Sequence, residues 1–88
     1  MILSQSKSFI KDSKKIKMSD KHFTRFVQYL ALLSDKKPLP GEAKDHTLKG
    51  DWCDFREFHV SGDLLVIYQV EGTVIKLVRI GSHNQLFK

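Results

Sequence analysis

Three of the four histidines fall in the second half of the chain, as His46, His59 and His83, within the stretches KDHTLKGDW, DFREFHVSGD and VRIGSHNQLF. Asp45, Glu57, Asp63, Arg56 and Arg79 are interleaved with them. An imidazole has an ordinary pKa of about 6.5, so it can take and release protons near neutrality. Several imidazoles beside carboxylates and arginines suit a reaction that moves protons while negative charge builds on a phosphate. A zinc sphere drawn from His46, His59, His83, Asp45 and Asp63 is the competing use. No local spacing such as H-x-x-x-H or C-x-x-C favours it, so neither a metal nor another cofactor is expected.

The elements that must bring these side chains together can be read from periodicity. Ile2–Gln5 is β-compatible. A lysine-rich segment from about Lys7 to Met18 has Phe9, Ser13 and Ile16 at helical spacing. Ser19 can cap a second helix whose first turn holds Asp20. In that helix Phe23, Phe26, Val27, Leu30 and Leu33 form one apolar face, expected to be core. Pro38, Pro40 and Gly41 end it. Phe55–Val60, Leu64–Val70 and Thr73–Ile80 then read as three strands joined by tight turns at Ser61-Gly62 and Glu71-Gly72. The order β-α-α-β-β-β predicts one α+β domain over residues 1–88, with two N-terminal helices packed on a small, mostly antiparallel sheet. Strand alternation puts Phe55, Glu57 and His59 on one face and Arg56, Phe58 and Val60 on the other.

Eighty-eight residues suffice for one modest core. With 41% hydrophobic and 28% charged residues, the composition is that of a soluble globular protein. No secretory signal and no membrane span are expected, the longest apolar run being Leu64–Tyr68. The single cysteine, Cys53, excludes an intrachain disulfide and fits a cytoplasmic protein. The net charge of +5 is uneven. Residues 1–37 carry eight lysines and one arginine against three aspartates, whereas residues 38–88 carry six basic and seven acidic side chains. A basic region that grips a polyanion and a second region that acts on it would produce this polarity, as would a merely solvated lysine face.

The histidine stretches also carry a family likeness. Lys44–Trp52 fits K-D-H-x-L-x-G-x-W, and Arg56–Asp63 fits R-[DE]-x-H-[VLI]-x-x-D. An apolar strand ends in Ile67-Tyr68, and Arg79–Phe87 fits R-x-G-[ST]-H-x-x-L-F. In order and spacing these segments resemble the YafQ branch of the RelE/ParE toxins of bacterial toxin–antitoxin pairs. The resemblance implies two N-terminal helices on a mostly antiparallel sheet and a metal-independent endoribonuclease that cuts mRNA engaged by the ribosome. It singles out His46, His59, Asp63, His83 and Phe87 as site positions, with Glu57 standing where aspartate is common. It also implies a cognate antitoxin with an acidic segment that wraps the toxin, and contact with operator DNA only through that antitoxin.

Metal-free RNA cleavage needs a base for the 2′-hydroxyl, positive charge for the phosphorane, and an acid for the departing 5′-oxygen. His83 is assigned as the acid and His59, oriented by Glu57 or Asp63, as the base, with Asp63 itself as an alternative base. His46 would contact phosphate, Arg79 would stabilise the transition state, and Phe87 would stack a base. Lys44, Lys14, Lys15 and Lys17 would hold RNA backbone. Duller roles compete: His22 as surface, Trp52 and Tyr68 as core or core-edge aromatics, and Arg56 as a structural arginine satisfied by Asp51, Asp54 or a carbonyl. Two other functions share the expected fold. One is a non-nucleolytic, ParE-like poison of a protein such as gyrase, and the other is an RNA-binding homologue without catalysis.

Overall fold

The computed structural model describes residues 1–87. In chain order the elements are β1 (Ile2–Gln5), α1 (Lys7–Ser13), α2 (Asp20–Ser34), β2 (His46–Thr47), β3 (Arg56–Ser61), β4 (Leu64–Glu71), β5 (Val74–Gly81) and α3 (His83–Leu86). Short 3-10 turns lie at Gly41–Ala43 and Gly50–Trp52. All five strands form one sheet in the order β1-β5-β4-β3-β2. Only β1 and β5 run parallel; the other neighbours are antiparallel. The α+β class and the three-stranded meander are as expected. β2, α3 and the 3-10 turns are additions too short to leave a periodic signature.

Capping serines start both long helices. The Ser6 hydroxyl accepts from the Phe9 N–H at 3.0 Å and donates to the Val78 carbonyl at 2.7 Å, which ties the start of α1 to β5. Ser19 accepts from the His22 N–H at 3.2 Å. Such caps contribute about 1 kcal/mol each. α1 stops at Ser13 instead of reaching Met18. Its last turn is pinned to β5, where the Asp12 carboxylate accepts from Arg79 and from the Ile80 N–H at 3.2 Å. The lysine-rich stretch beyond has only Ile16 and Met18 to pack against the core, too little to hold a further turn. On α2 the inward line is buried Tyr29 with half-buried Phe26, Leu30 and Leu33, at i, i+3, i+4 and i+7 from Phe26. Phe23 and Val27, expected to be core, are 53% and 46% exposed. A helix lying on a sheet buries a strip only about 100° wide, and these two residues fall on its flank.

The sheet has a core on each face. Phe9 and Tyr29 from the helices pack with Phe58, Val60, Val66, Tyr68, Ile75, Leu77 and Ile80 on one side. On the other, Leu65, Ile67 and Leu86 form a smaller cluster edged by Leu48, Trp52, Phe55, Val78 and Phe87. An irregularity in the β4–β5 register leaves Val78 unpaired between Leu77 and Arg79. That extra residue shifts the alternation and returns Ile80 to the helix side. The hairpin turns fall at Gly62-Asp63 and Gly72-Thr73, one residue later than expected, with Gly72 at φ +59°. No helix among the described residues is long and apolar enough to cross a membrane.

Candidate active site

The smaller cluster supports the histidines. On β3, Glu57 and His59 share the face away from the helices, as alternation requires, and the β2–β3 register sets His46 opposite Glu57. Glu57 is buried at 5% exposure. Its Oε2 lies 3.2 Å from His46 Nε2 and 3.5 Å from His59 Nε2, so one carboxylate oxygen bridges two imidazoles. The two rings are 6.3 Å apart, centre to centre. His46 Nδ1 faces the Lys44 carbonyl, which can only accept, so Nδ1 carries a hydrogen. Nε2 then meets Glu57 favourably only when a proton lies between them. The other carboxylate oxygen, Oε1, has no hydrogen-bond partner among the described residues. A buried, half-satisfied carboxylate of this kind is costly unless its neighbours donate to it, which ties both rings to Glu57.

His83 reaches the same place from α3. Ser82 caps that helix, accepting from the Gln85 N–H at 3.2 Å while its own N–H donates to the Gln85 side chain at 2.8 Å. The close return of α3 requires Gly81, where a Cβ would meet Gln85 Oε1 at 2.9 Å and Leu86 Cδ2 at 3.2 Å. The His83 ring packs 5.0 Å from Phe87, whose other side meets Trp52 at 5.9 Å. His46, Lys49, Trp52, Glu57, His83 and Phe87 line one open cleft of about 310 Å³. Asp63 stands at the β3–β4 turn and accepts from the His83 backbone N–H at 3.4 Å. It therefore steadies the start of α3, while Glu57 is the carboxylate that touches His59.

Arg79 is not brought to the histidines. It pairs across the sheet with Ile67, which pairs with Glu57, so it stands two strands away. Its Nε and Nη2 donate to the two oxygens of Asp12 at 2.6 and 3.1 Å. The expectation that Arg79 serves the cleft directly is corrected by this bidentate pair, which occupies the guanidinium. Burial alone would raise the Asp12 carboxyl, but the bonds from Arg79 and Ile80 outweigh it and hold it below the usual carboxylate range. A depressed carboxyl stabilises the fold above its unfolded value of about 3.9, and that contribution is lost as pH falls through the lower folded value. Asp12→Asn should therefore lower the melting temperature at pH 7, with the gap to wild type closing below about pH 4. Melting curves between pH 2 and 7 check this; a constant gap would contradict it.

Lys14, Lys15 and Lys17 are exposed on the irregular stretch after α1. Lys15 and Lys17 line a groove of about 260 Å³ with His22, Asp63 and Ser82. Lys44 is exposed, and its left-handed backbone, φ +50°, aims the carbonyl at His46. Arg56 is structural, as one reading of the sequence held, although its partners are Asp45 and Tyr68. Sequence reasoning missed Lys49 and the cleft-lining role of Trp52. Both lie inside the K-D-H-x-L-x-G-x-W stretch, and the 3-10 turn at Gly50–Trp52 swings the indole into the cleft. Among the described residues no group of three or more His, Cys, Asp or Glu side chains is arranged to hold a metal.

The arrangement offers an imidazole pair bridged by one carboxylate oxygen, a separate exposed imidazole, an aromatic wall and a lysine. These are the parts of a general acid–base site for a phosphate ester with planar bases. The chain matches, over residues 1–88, the family model described as bacterial toxin of type II toxin-antitoxin system, YafQ. It is 34% identical over 79 residues to the mRNA interferase toxin YafQ of Escherichia coli strain K12, covering 85% of this chain and 86% of that one. Among solved structures it resembles a metal-bound toxin from Helicobacter pylori, with TM-score 0.85, 37% identity and 98% of each chain covered. It also resembles YafQ in the E. coli DinJ-YafQ complex, with TM-score 0.83, 31% identity, and 98% of this chain and 97% of that one covered.

Proposed function

The chain belongs to the YafQ family of bacterial type II toxins, and on that premise we propose that it is an endoribonuclease cutting mRNA by metal-independent acid–base catalysis. The observation that carries the reading is the meeting of His46, Glu57 and His59 beside a cleft that also holds His83 and Phe87. His59, coupled to Glu57, takes the proton of a 2′-hydroxyl. The freed oxygen attacks the adjacent phosphorus, and the 5′-oxygen leaves with a proton from His83. This yields a 2′,3′-cyclic phosphate and a 5′-hydroxyl. His46, held against Glu57, faces the phosphate together with Lys49. Phe87 and Trp52 supply faces for a base. Arg79 would serve only a strand passing over β5, and would share its guanidinium with Asp12.

The message would be cut on the ribosome in the cytoplasm, with Lys14, Lys15, Lys17 and Lys44 against RNA backbone. An antitoxin with an acidic segment would neutralise the protein, as DinJ pairs with YafQ in the similar complex, and only that partner would touch operator DNA. A gyrase-type poison would have no use for two imidazoles bridged by Glu57 beside His83. The test is primer extension on a reporter message after induction in a bacterium. Cuts inside the reading frame are expected, and they should vanish when the start codon is removed. Cuts that survive its removal would refute the ribosomal setting; a growth-arrested cell with intact message would refute the nuclease.

A further inference from the structure

His46 is held from behind by groups on the other face of the sheet. Its predecessor Asp45 points oppositely, to the helix side, where Asp45 Oδ1 accepts from the Tyr68 hydroxyl at 2.6 Å and from Arg56 Nε at 3.2 Å. Arg56 Nε also lies 3.3 Å from the Tyr68 oxygen, closing a three-membered network. Tyr68 is 1% exposed and paired with Arg56 across β3 and β4, so its hydroxyl is a fixed point of the larger core. Burial, then the bond to Asp45, pushes that hydroxyl above tyrosine's ordinary value, and it remains a donor. The anchored Asp45 is joined by its own peptide bond to the Lys44 carbonyl that receives His46 Nδ1.

We infer that Tyr68, acting through Asp45, is a positioning residue that fixes the orientation of the His46 ring, with Nδ1–H on the Lys44 carbonyl and Nε2 toward Glu57 and the cleft. This deepens the proposed nuclease reading and rests on it for its catalytic consequence. With Asp45 anchored, the left-handed turn at Lys44 is held and its carbonyl has one direction. Without the anchor, Asp45 becomes an ordinary loop carboxylate, the turn relaxes, and the His46 ring spends part of its time off the Lys44 carbonyl. A catalytic ring turned by this amount loses rate without losing substrate.

The test is Tyr68→Phe, which deletes one oxygen and keeps the ring, with Asp45→Ala and Asp45→Asn beside it. The His46 ring nitrogens are read by ¹⁵N NMR, and RNA cleavage is read as kcat and KM separately. Wild type should show one His46 ring signal with Nδ1–H held in a hydrogen bond, and Tyr68→Phe and Asp45→Ala a mixture of bonded and free forms. In both variants kcat should drop about tenfold with KM little changed. Asp45→Asn keeps an acceptor oxygen and should retain most of the wild-type behaviour. A merely structural Tyr68 would lower the melting temperature and leave the His46 signals and kcat of the folded protein alone, which would overturn the inference. Should Tyr68→Phe not fold, Asp45→Ala, altered in a loop, decides on the same readouts. If wild type cuts no RNA, the nuclease reading fails, while the nitrogen spectra still decide the positioning role.

Discussion

Replacing His83 with alanine should reduce RNA cleavage by about 10²–10⁴-fold, the usual range for removing a general acid or base. The ring is exposed at the first position of α3, and its contact is the face of Phe87. The Ser82–Gln85 capping box and the Asp63 bond to the backbone N–H do not use it. Stability should therefore change by less than about 0.5 kcal/mol. Expression of the variant should leave growth unaffected, while binding of an antitoxin should persist. Wild-type toxicity in a folded His83→Ala protein would remove this residue from the chemistry and leave the His46–Glu57–His59 cluster to account for both proton transfers.

Phe58→Ala should cost about 3–5 kcal/mol, the range for emptying a large buried aromatic site. Phe58 is fully buried, packs edge-on to Tyr29 at 5.7 Å and lies 5.7 Å from Tyr68. A domain of this size holds about 5–10 kcal/mol in all, so the variant should sit near its unfolding threshold at 37 °C. The loss should also reach the site, because Phe58 lies between Glu57 and His59 on β3 and packs against the tyrosine that anchors Asp45. Urea titration at 25 °C measures the cost, and Phe58→Leu should recover much of it. A cost under about 1 kcal/mol would mean that the helix-side core can collapse around the void, and that β3 is held chiefly by its neighbours.

The readable parts of this chain were those governed by local periodicity. Alternation along β3 placed Glu57 and His59 together because a strand's side chains have no other choice, and the meander followed from three apolar runs separated by glycine turns. Helix faces were less legible. On α2 the spacing identified Phe26, Leu30 and Leu33, but tertiary fit made Tyr29 their fourth member and left Phe23 and Val27 on the flank. Arg79 shows the limit most clearly. The chemistry of its guanidinium suggested a place beside the histidines, whereas the irregularity at Val78 and the approach of α1 gave that guanidinium to Asp12. Neither a bulge nor a contact spanning the chain leaves a local mark. The same holds for the Asp45–Tyr68–Arg56 network: Arg56 read as a structural arginine, but with Asp51 or Asp54 as its partner, and Tyr68 only as a core or core-edge aromatic.

The central claim is that the Glu57-bridged imidazoles, with His83, cut RNA unaided by a metal. It is tested most directly by incubating end-labelled mRNA with purified protein in excess EDTA, with and without programmed ribosomes, beside His59→Ala. The account predicts cutting by wild type in EDTA, products ending in a cyclic phosphate, and loss of cutting in the variant. Cutting that EDTA abolishes and added divalent metal restores would contradict it, as would undiminished cutting by His59→Ala.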